Sequence, residues 1–329
     1  MPAMKIVVTD HAFPDLSIEE RVAVAAGASL VVAQTKDPIQ LAAAVAAADA
    51  VITQFAPVNA DVIAAMQRAR VIVRYGIGVD NVDLVAARAR GIPVCNIPDY
   101  CIDEVADHTL SFILALTRQV VPQSRLVHDG GWKLVAPPPA FRTLAGMTCG
   151  VIGFGRIGRG VVRRLVACGG RVLVSDPLAS AEAVAAAGAE AVPVAQLLAE
   201  SDLITLHCPS LPETKGLINA AALATAKPGL LVVNLSRGDL VDPAALVAAL
   251  DSGHVAGAAL DVFSPEPIPA GHPILGRPNV ILAPHVASVS AAAVARLRTT
   301  AAELAVAALQ GGPLQSIVNG VAGPRVVGD

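Results

Sequence analysis

Short runs of β-branched residues alternate with longer Ala/Leu-rich stretches of helical period along almost the whole chain. Lys5–Thr9, Ser29–Val32, Ala50–Thr53 and Val71–Tyr75 predict strands, with helices predicted between them at Ile18–Gly27, Pro38–Ala48 and Asp61–Ala69. A second series starts near Thr148, with strands expected at Cys149–Gly153, Arg171–Ser175, Ala191–Val194, Asp202–His207, Leu230–Leu235, Ala256–Val262 and Val280–Ala283. Continuous apolar strands separated by helices suit a parallel sheet covered on both faces. The pattern predicts an α/β chain of two doubly wound parallel-sheet units.

Between the two series, Asp103–Val121 carries one long helical period, with Val105, Leu110, Ile113, Leu114, Leu116 and Thr117 on one side. Gly130-Gly131-Trp132 and Pro137-Pro138-Pro139 follow and mark a loop or arm. The last helical stretch, Ala291–Leu309, stops at Gly311-Gly312-Pro313. A length of 329 residues suits two cores better than one, and 54% apolar residues exclude a disordered chain. With 24 basic and 27 acidic side chains, a net charge of −3 leaves no electrostatic footprint for nucleic acid, and no polybasic run suits a membrane surface.

The uncharged stretches 278–295 and 304–324 are interrupted by Pro, His, Gln, Asn or Gly-Gly, so neither is the continuous apolar span of roughly 20 residues that a bilayer requires. Met-Pro-Ala-Met-Lys-Ile-Val-Val at the start reads as a strand, not a secretory signal, and a cytoplasmic location is expected. The five cysteines (Cys95, Cys101, Cys149, Cys168, Cys208) form no C-x-x-C pair and are odd in number, which argues against a disulfide framework and a zinc site. No metal is expected.

Candidate chemistry begins where the strand at Cys149 runs into Gly153-Phe154-Gly155-Arg156-Ile157-Gly158 and then a helix. The first glycine permits the tight turn, the second lets backbone approach a pyrophosphate, and the third lets helix pack on strand. Exposed N–H groups and the dipole at the helix start favour the anion. The next strand ends at Asp176, whose carboxylate can accept both ribose hydroxyls and would repel a 2′-phosphate, which favours NAD over NADP. Further on, Arg237, Glu266 and His285 each stand at or just beyond a strand end, where an open parallel sheet places its ligand. An arginine can hold a carboxylate through two hydrogen bonds, a histidine can exchange a proton at a carbonyl oxygen, and a glutamate beside it orients it and favours the imidazolium. Taken singly, each also has a plain structural explanation: a surface ion pair, a Pro-rich turn or a helix cap.

Several segments together resemble the D-isomer-specific 2-hydroxyacid dehydrogenase family over nearly the whole length. They are Arg74-Tyr75-Gly76-Ile77-Gly78-Val79-Asp80-Asn81, the Gly153 fingerprint, His207-Cys208-Pro209 with Thr214, Asn234-Leu235-Ser236-Arg237-Gly238, Ala259-Leu260-Asp261-Val262-Phe263 with Glu266-Pro267, and Pro284-His285. Pro98-Asp99-Tyr100 through Glu104-Val105-Ala106-Asp107-His108-Thr109 resembles the C-terminal-binding-protein-like branch, and the Arg74 region resembles phosphoglycerate dehydrogenases. The resemblance implies a Rossmann nucleotide domain (102–286) inserted in a discontinuous flavodoxin-like substrate domain (1–101 with 287–329). It also implies a homodimer through the nucleotide domains, with the 120–145 arm contributing.

It further implies that Arg237 grips the carboxylate of a small 2-oxo or D-2-hydroxy acid, that His285 is the acid/base and that Glu266 supports it. Tyr75, Gly76, Ile77 and Gly78 would complete the carboxylate pocket, chiefly through backbone N–H groups. Thr109, His207, Cys208, Pro209, Thr214, Leu235, Ser236 and Arg237 would line NAD, and Asp261 would meet the nicotinamide carboxamide. Formate dehydrogenases of this fold place Gln where Glu266 stands, and the corepressors carry an aromatic residue where this chain has Ser288. A dinucleotide-sensing, corepressor-like binding protein with little turnover is the alternative expectation.

Overall fold

The computed structural model describes residues 4–326, and its contacts divide into two units, Met1–Cys101 with Ser290–Asp329, and Ile102–Val289. The first unit is built on strands β1 (Met4–Val8), β2 (Ala28–Val32), β3 (Ala50–Thr53), β4 (Ile72–Arg74) and β5 (Val94–Cys95). All pair in parallel in the order β2-β1-β3-β4-β5, the flavodoxin-like arrangement. Every residue of β3 is buried, as a central strand covered on both faces must be. Asp37, Asn59 and Asp83 each accept the N–H three residues ahead and so fix where three of the intervening helices start. Val7, Leu41, Val51, Ile63, Met66, Ile72 and Val94 form the core between sheet and helices.

The C-terminal return segment completes this unit. Its helix Ala291–Leu309, capped by Ser290, packs against helix Ser17–Ala25 and β3. Beyond it Ile317 bridges Cys95, and the Asn319 amide takes the Val94 N–H at 3.1 Å and donates to the Ile92 carbonyl at 2.8 Å. The two-residue β5, too short to show as a period in sequence, owes its order to that clamp.

The second unit carries β6 (Thr148–Ile152), β7 (Arg171–Ser175), β8 (Glu190–Ala191), β9 (Leu203–Leu206), β10 (Leu230–Asn234), β11 (Val255–Leu260) and β12 (Val280–Leu282). The order is β12-β11-β10-β9-β6-β7-β8, again all parallel. Counted within the unit this is the Rossmann order 3-2-1-4-5-6 with one more strand at the edge. The chain winds away in opposite directions from the adjacent pair β6 and β9, which makes the carboxyl ends of those strands the switch point where such sheets take ligands.

Three expectations change. The single helix expected over 103–121 is two helices, Ile102–Thr117 and Val120–His128, separated by Gln119 in the left-handed region (φ 54°). Apolar periodicity continues through such a break, so the pattern hides it. Leu114 is not on the packed face but 38% exposed, whereas Ala106, Thr109 and Phe112 are buried. The strand expected at Ala191–Val194 stops at Ala191, because Pro193 has no N–H for a ladder and precedes helix Val194–Glu200. Among the described residues no helix is long and apolar enough to cross a membrane.

Candidate active site

At the switch point of the second unit, β6 delivers the chain into the glycine turn. Gly153 has φ +98°, and a Cβ there would lie 2.6 Å from the His207 carbonyl group. A Cβ on Gly158 would overlap the Gly153 carbonyl oxygen, so turn and helix can close only with glycine at both positions. Gly155 differs: nothing lies within 4 Å of a Cβ built on it. It caps the twelve-residue helix Arg156–Ala167 without any side-chain hydrogen bond, and both Gly155 and Arg156 are exposed. A closed turn beneath an open helix start fits a dinucleotide pyrophosphate. Ile157 is half-buried behind it.

Asp176, just past β7, accepts the Phe154 N–H at 2.6 Å and the Leu178 N–H at 2.8 Å. One carboxylate thus braces the turn and remains half-exposed, with lone pairs left for ribose hydroxyls. His207, after β9, backs the turn: its Nε2 lies 2.9 Å from the Thr205 hydroxyl, and burial pushes its ring down to about 3, which keeps it neutral. Pro209 is exposed, and the Thr214 hydroxyl closes its loop by donating to the Pro209 carbonyl at 2.7 Å and accepting the Leu211 N–H at 2.8 Å. Burial raises the half-buried Cys208 thiol to about 11, which keeps it protonated and a poor nucleophile.

Past β10 the loop carrying Arg237 is latched by Asn234, which accepts the Ser236 N–H at 3.0 Å and donates to the Arg237 carbonyl at 2.8 Å. Sequence reasoning gave Asn234 no role; a fully buried amide ending an apolar strand was the available signal. Leu235 is buried, and the Ser236 hydroxyl donates to the Cys208 carbonyl, tying two lining loops together. Arg237 is half-buried and its Nη1 donates to the Ser236 carbonyl at 2.7 Å. Glu266 Oε2 stands 2.8 Å from His285 Nδ1, and its Oε1 accepts the Phe263 N–H at 2.8 Å. Burial raises the Glu266 carboxyl, but the hydrogen bonds from His285 and Phe263 and the charges of His285 and Arg237 outweigh it, and the net shift is downward. Arginine, glutamate and histidine therefore belong to one electrostatic group.

His285 itself is left-handed (φ 56°), which a non-glycine residue adopts only when its surroundings enforce it. Asp261 supplies that force. Its carbonyl accepts the His285 N–H at 2.8 Å, and its carboxylate accepts the N–H groups of Val286 at 2.9 Å and Ala287 at 2.8 Å. Asp261 is 0% exposed, and each of its carboxylate oxygens is engaged by one backbone N–H. Thr109 is fully buried in its helix, its hydroxyl donating to the Val105 carbonyl at 2.7 Å.

In the first unit the Gly76–Gly78 loop follows β4. Gly76 has φ +139°, and a Cβ there would overlap the Arg74 guanidinium. Asn96 donates to the Ile77 carbonyl at 2.6 Å and Ile97 to the Gly76 carbonyl at 2.9 Å. The Gly76 N–H is taken by the Arg74 carbonyl at 2.9 Å, which leaves Ile77 and Gly78 as the donors a carboxylate would meet. Tyr75 is only 2% exposed, and its side chain points into its own unit, its hydroxyl on Glu19. Among the described residues no cluster of His, Cys, Asp or Glu could hold a metal.

Comparison with known proteins agrees with this geometry. Residues 110–287 match the family model for the D-isomer specific 2-hydroxyacid dehydrogenase, NAD binding domain. The chain is 40% identical over 284 residues to the D-3-phosphoglycerate dehydrogenase of Mycobacterium tuberculosis (strain ATCC 25618 / H37Rv), covering 86% of this chain but only 53% of that enzyme. It thus spans about half the length of that relative. The glyoxylate reductase of Korarchaeum cryptofilum is 38% identical over 265 residues, 80% of each chain. Among solved structures, D-lactate dehydrogenase from Aquifex aeolicus, complexed with NAD and lactic acid, superposes with a TM-score of 0.84 at 26% identity, over 98% of this chain and 99% of that one. With a Rossmann sheet, a closed glycine turn and this similarity to known dehydrogenases, the chain belongs to the D-isomer specific 2-hydroxyacid dehydrogenase family.

Proposed function

We propose that this protein interconverts a small 2-oxo acid and its D-2-hydroxy acid with NAD as the redox partner. The observation that carries the reading is the Glu266–His285 pair at 2.8 Å, with the Arg237 charge acting on the same glutamate. When bound, NADH supplies a hydride from nicotinamide C4 to the substrate's 2-carbon. Arg237 holds the carboxylate and polarises the neighbouring carbonyl, and the first unit's own candidate carboxylate donors are the Ile77 and Gly78 N–H groups. His285 delivers the proton to the carbonyl oxygen, with Glu266 fixing its orientation through Nδ1. Asp261 and Asn234 act on backbone, holding His285 and Arg237 in place. Gly153, Gly155, Gly158 and Asp176 hold the dinucleotide, and the Asp176 carboxylate disfavours a 2′-phosphate.

Glyoxylate, phosphoglycerate and lactate, which the names of the relatives above carry, are the first acids to test. A cytoplasmic homodimer, with the arm at 120–145 in the contact, belongs to the same proposal. Its decisive experiment is a panel of 2-oxo acids with NADH and NADPH. Saturable oxidation of NADH with at least one acid, and weaker use of NADPH, is the expected outcome. Tight NADH binding without oxidation by any acid would replace the enzyme with a dinucleotide sensor.

A further inference from the structure

Tyr75 immediately precedes the Gly76–Gly78 loop, and its side chain ends in a buried ionic cluster of the first unit. Its hydroxyl donates to Glu19 Oε1 at 2.9 Å, and Glu19 is 0% exposed. The same carboxylate receives Arg298 Nε at 2.9 and 3.1 Å and Nη2 at 2.7 Å. Arg298, on the return helix, also donates to the Asp15 carbonyl at 2.7 Å and lies 5.1 Å from the Phe13 ring centre, and Phe13 meets the Tyr75 ring edge-on at 5.2 Å. Stretches far apart in sequence therefore converge on the residue that launches one loop.

Stability alone does not explain such a cluster, because well-packed apolar side chains of similar volume hold a core as well as a buried ion pair does. What the ionic cluster adds is direction. Glu19, fixed by the Arg298 guanidinium, offers one oxygen along one line, and the phenol must lie on that line. The Tyr75 backbone is held at the same time, its N–H on the Thr53 carbonyl at 2.8 Å. With Asn96 and Ile97 tying the carbonyls of Ile77 and Gly76, the loop is fixed at its root and along its inner side, and its remaining N–H groups have one heading.

We propose that Tyr75, held by Glu19 and Arg298, is a positioning residue of the reaction that aims the Ile77 and Gly78 N–H groups at the substrate carboxylate. The proposal rests on the reading of that loop as a carboxylate donor. It is tested on the full chain with Tyr75→Phe and Glu19→Gln, using the panel acid of highest kcat/KM and the amide of that acid. Tyr75→Phe keeps the ring and the ion pair: it melts within a few degrees of the unmodified protein and binds NADH equally well. Its KM for the acid rises about five- to tenfold with kcat within about twofold, the signature of lost binding that is uniform along the reaction. Glu19→Gln keeps an acceptor for the hydroxyl but leaves Arg298 only its 3.2 Å ion pair with Asp15, so it melts several degrees lower and shifts KM less than Tyr75→Phe does. Unmodified protein that handles amide and acid alike would overturn the carboxylate loop, and this proposal with it. Retained discrimination against the amide with an unmoved KM in Tyr75→Phe, or a KM that tracks the melting temperature across both variants, would overturn the anchor alone.

Discussion

The glycine turn of the second unit and the Gly76–Gly78 loop of the first do a similar mechanical job by opposite means. At 153–158 the loop is shaped mainly by backbone, Gly158 against the Gly153 carbonyl and Gly153 against the His207 carbonyl, with the one Asp176 carboxylate on the Phe154 N–H. At 76–78 backbone bonds to Arg74 and Ile97 and the Asn96 amide are joined, at the loop's root, by side chains gathered from afar on Tyr75, with Glu19 and Arg298 separated by 279 positions. At Gly153 and Gly158 the obstacles to an added atom are backbone and cannot move, whereas Gly155 has none within 4 Å. A side-chain-shaped loop can yield, and what it loses first is aim.

The contrast can be broken at several strengths. The largest effect is expected at His285→Asn, since asparagine accepts the left-handed backbone but cannot serve as the acid. Stopped-flow turnover should fall by about 10³ while NADH fluorescence titration stays within about twofold. A turnover near normal would remove His285 from the chemistry. Next come the two glycines as a pair. Gly158→Ala places its methyl on a carbonyl oxygen and should weaken NADH about a hundredfold, near 2.7 kcal/mol. Gly76→Ala meets the movable end of Arg74 and a strained φ, and should raise KM for the acid while sparing NADH. Equal effects of both on NADH would erase the distinction drawn above.

A smaller, pH-dependent effect concerns His207. Burial lowers its ring from 6.5 to about 3 in the folded protein, so the unfolded chain binds the extra proton between those values. The stability tied to this group is therefore complete above pH 6.5 and declines as pH falls toward 3, by about 1.4 kcal/mol per pH unit. Urea midpoints measured from pH 7 down to pH 5 should fall more steeply for the native chain than for His207→Asn. Parallel curves would show that the ring protonates freely in the fold.

The same division explains what could be read in advance. The glycine turn and Asp176 were legible because consecutive residues and one strand end specify them. Glu266 and His285 could be suspected of meeting because each follows a strand of one sheet. The burial of Tyr75 and Thr109 could not be read because sequence gives a residue's element but not the face it presents. In Thr109 the helix carbonyl of Val105 satisfies the hydroxyl. The two backbone N–H groups that hold the Asp261 carboxylate left no trace in the sequence either. No periodicity announces Gln119 as a left-handed break, or joins Glu19 to Arg298.

The return helix gives the two units different histories during synthesis. Ile102–Val289 is continuous, so its sheet can assemble once its own residues have emerged. The first unit must wait: its early strands leave the ribosome long before Arg298 can neutralise Glu19 or Asn319 can clamp β5. Throughout that interval an acidic side chain destined for burial has no cation, and a sheet edge stands open. The nascent chain is therefore most exposed to misassembly in its first hundred residues, while the middle of the protein is already folding.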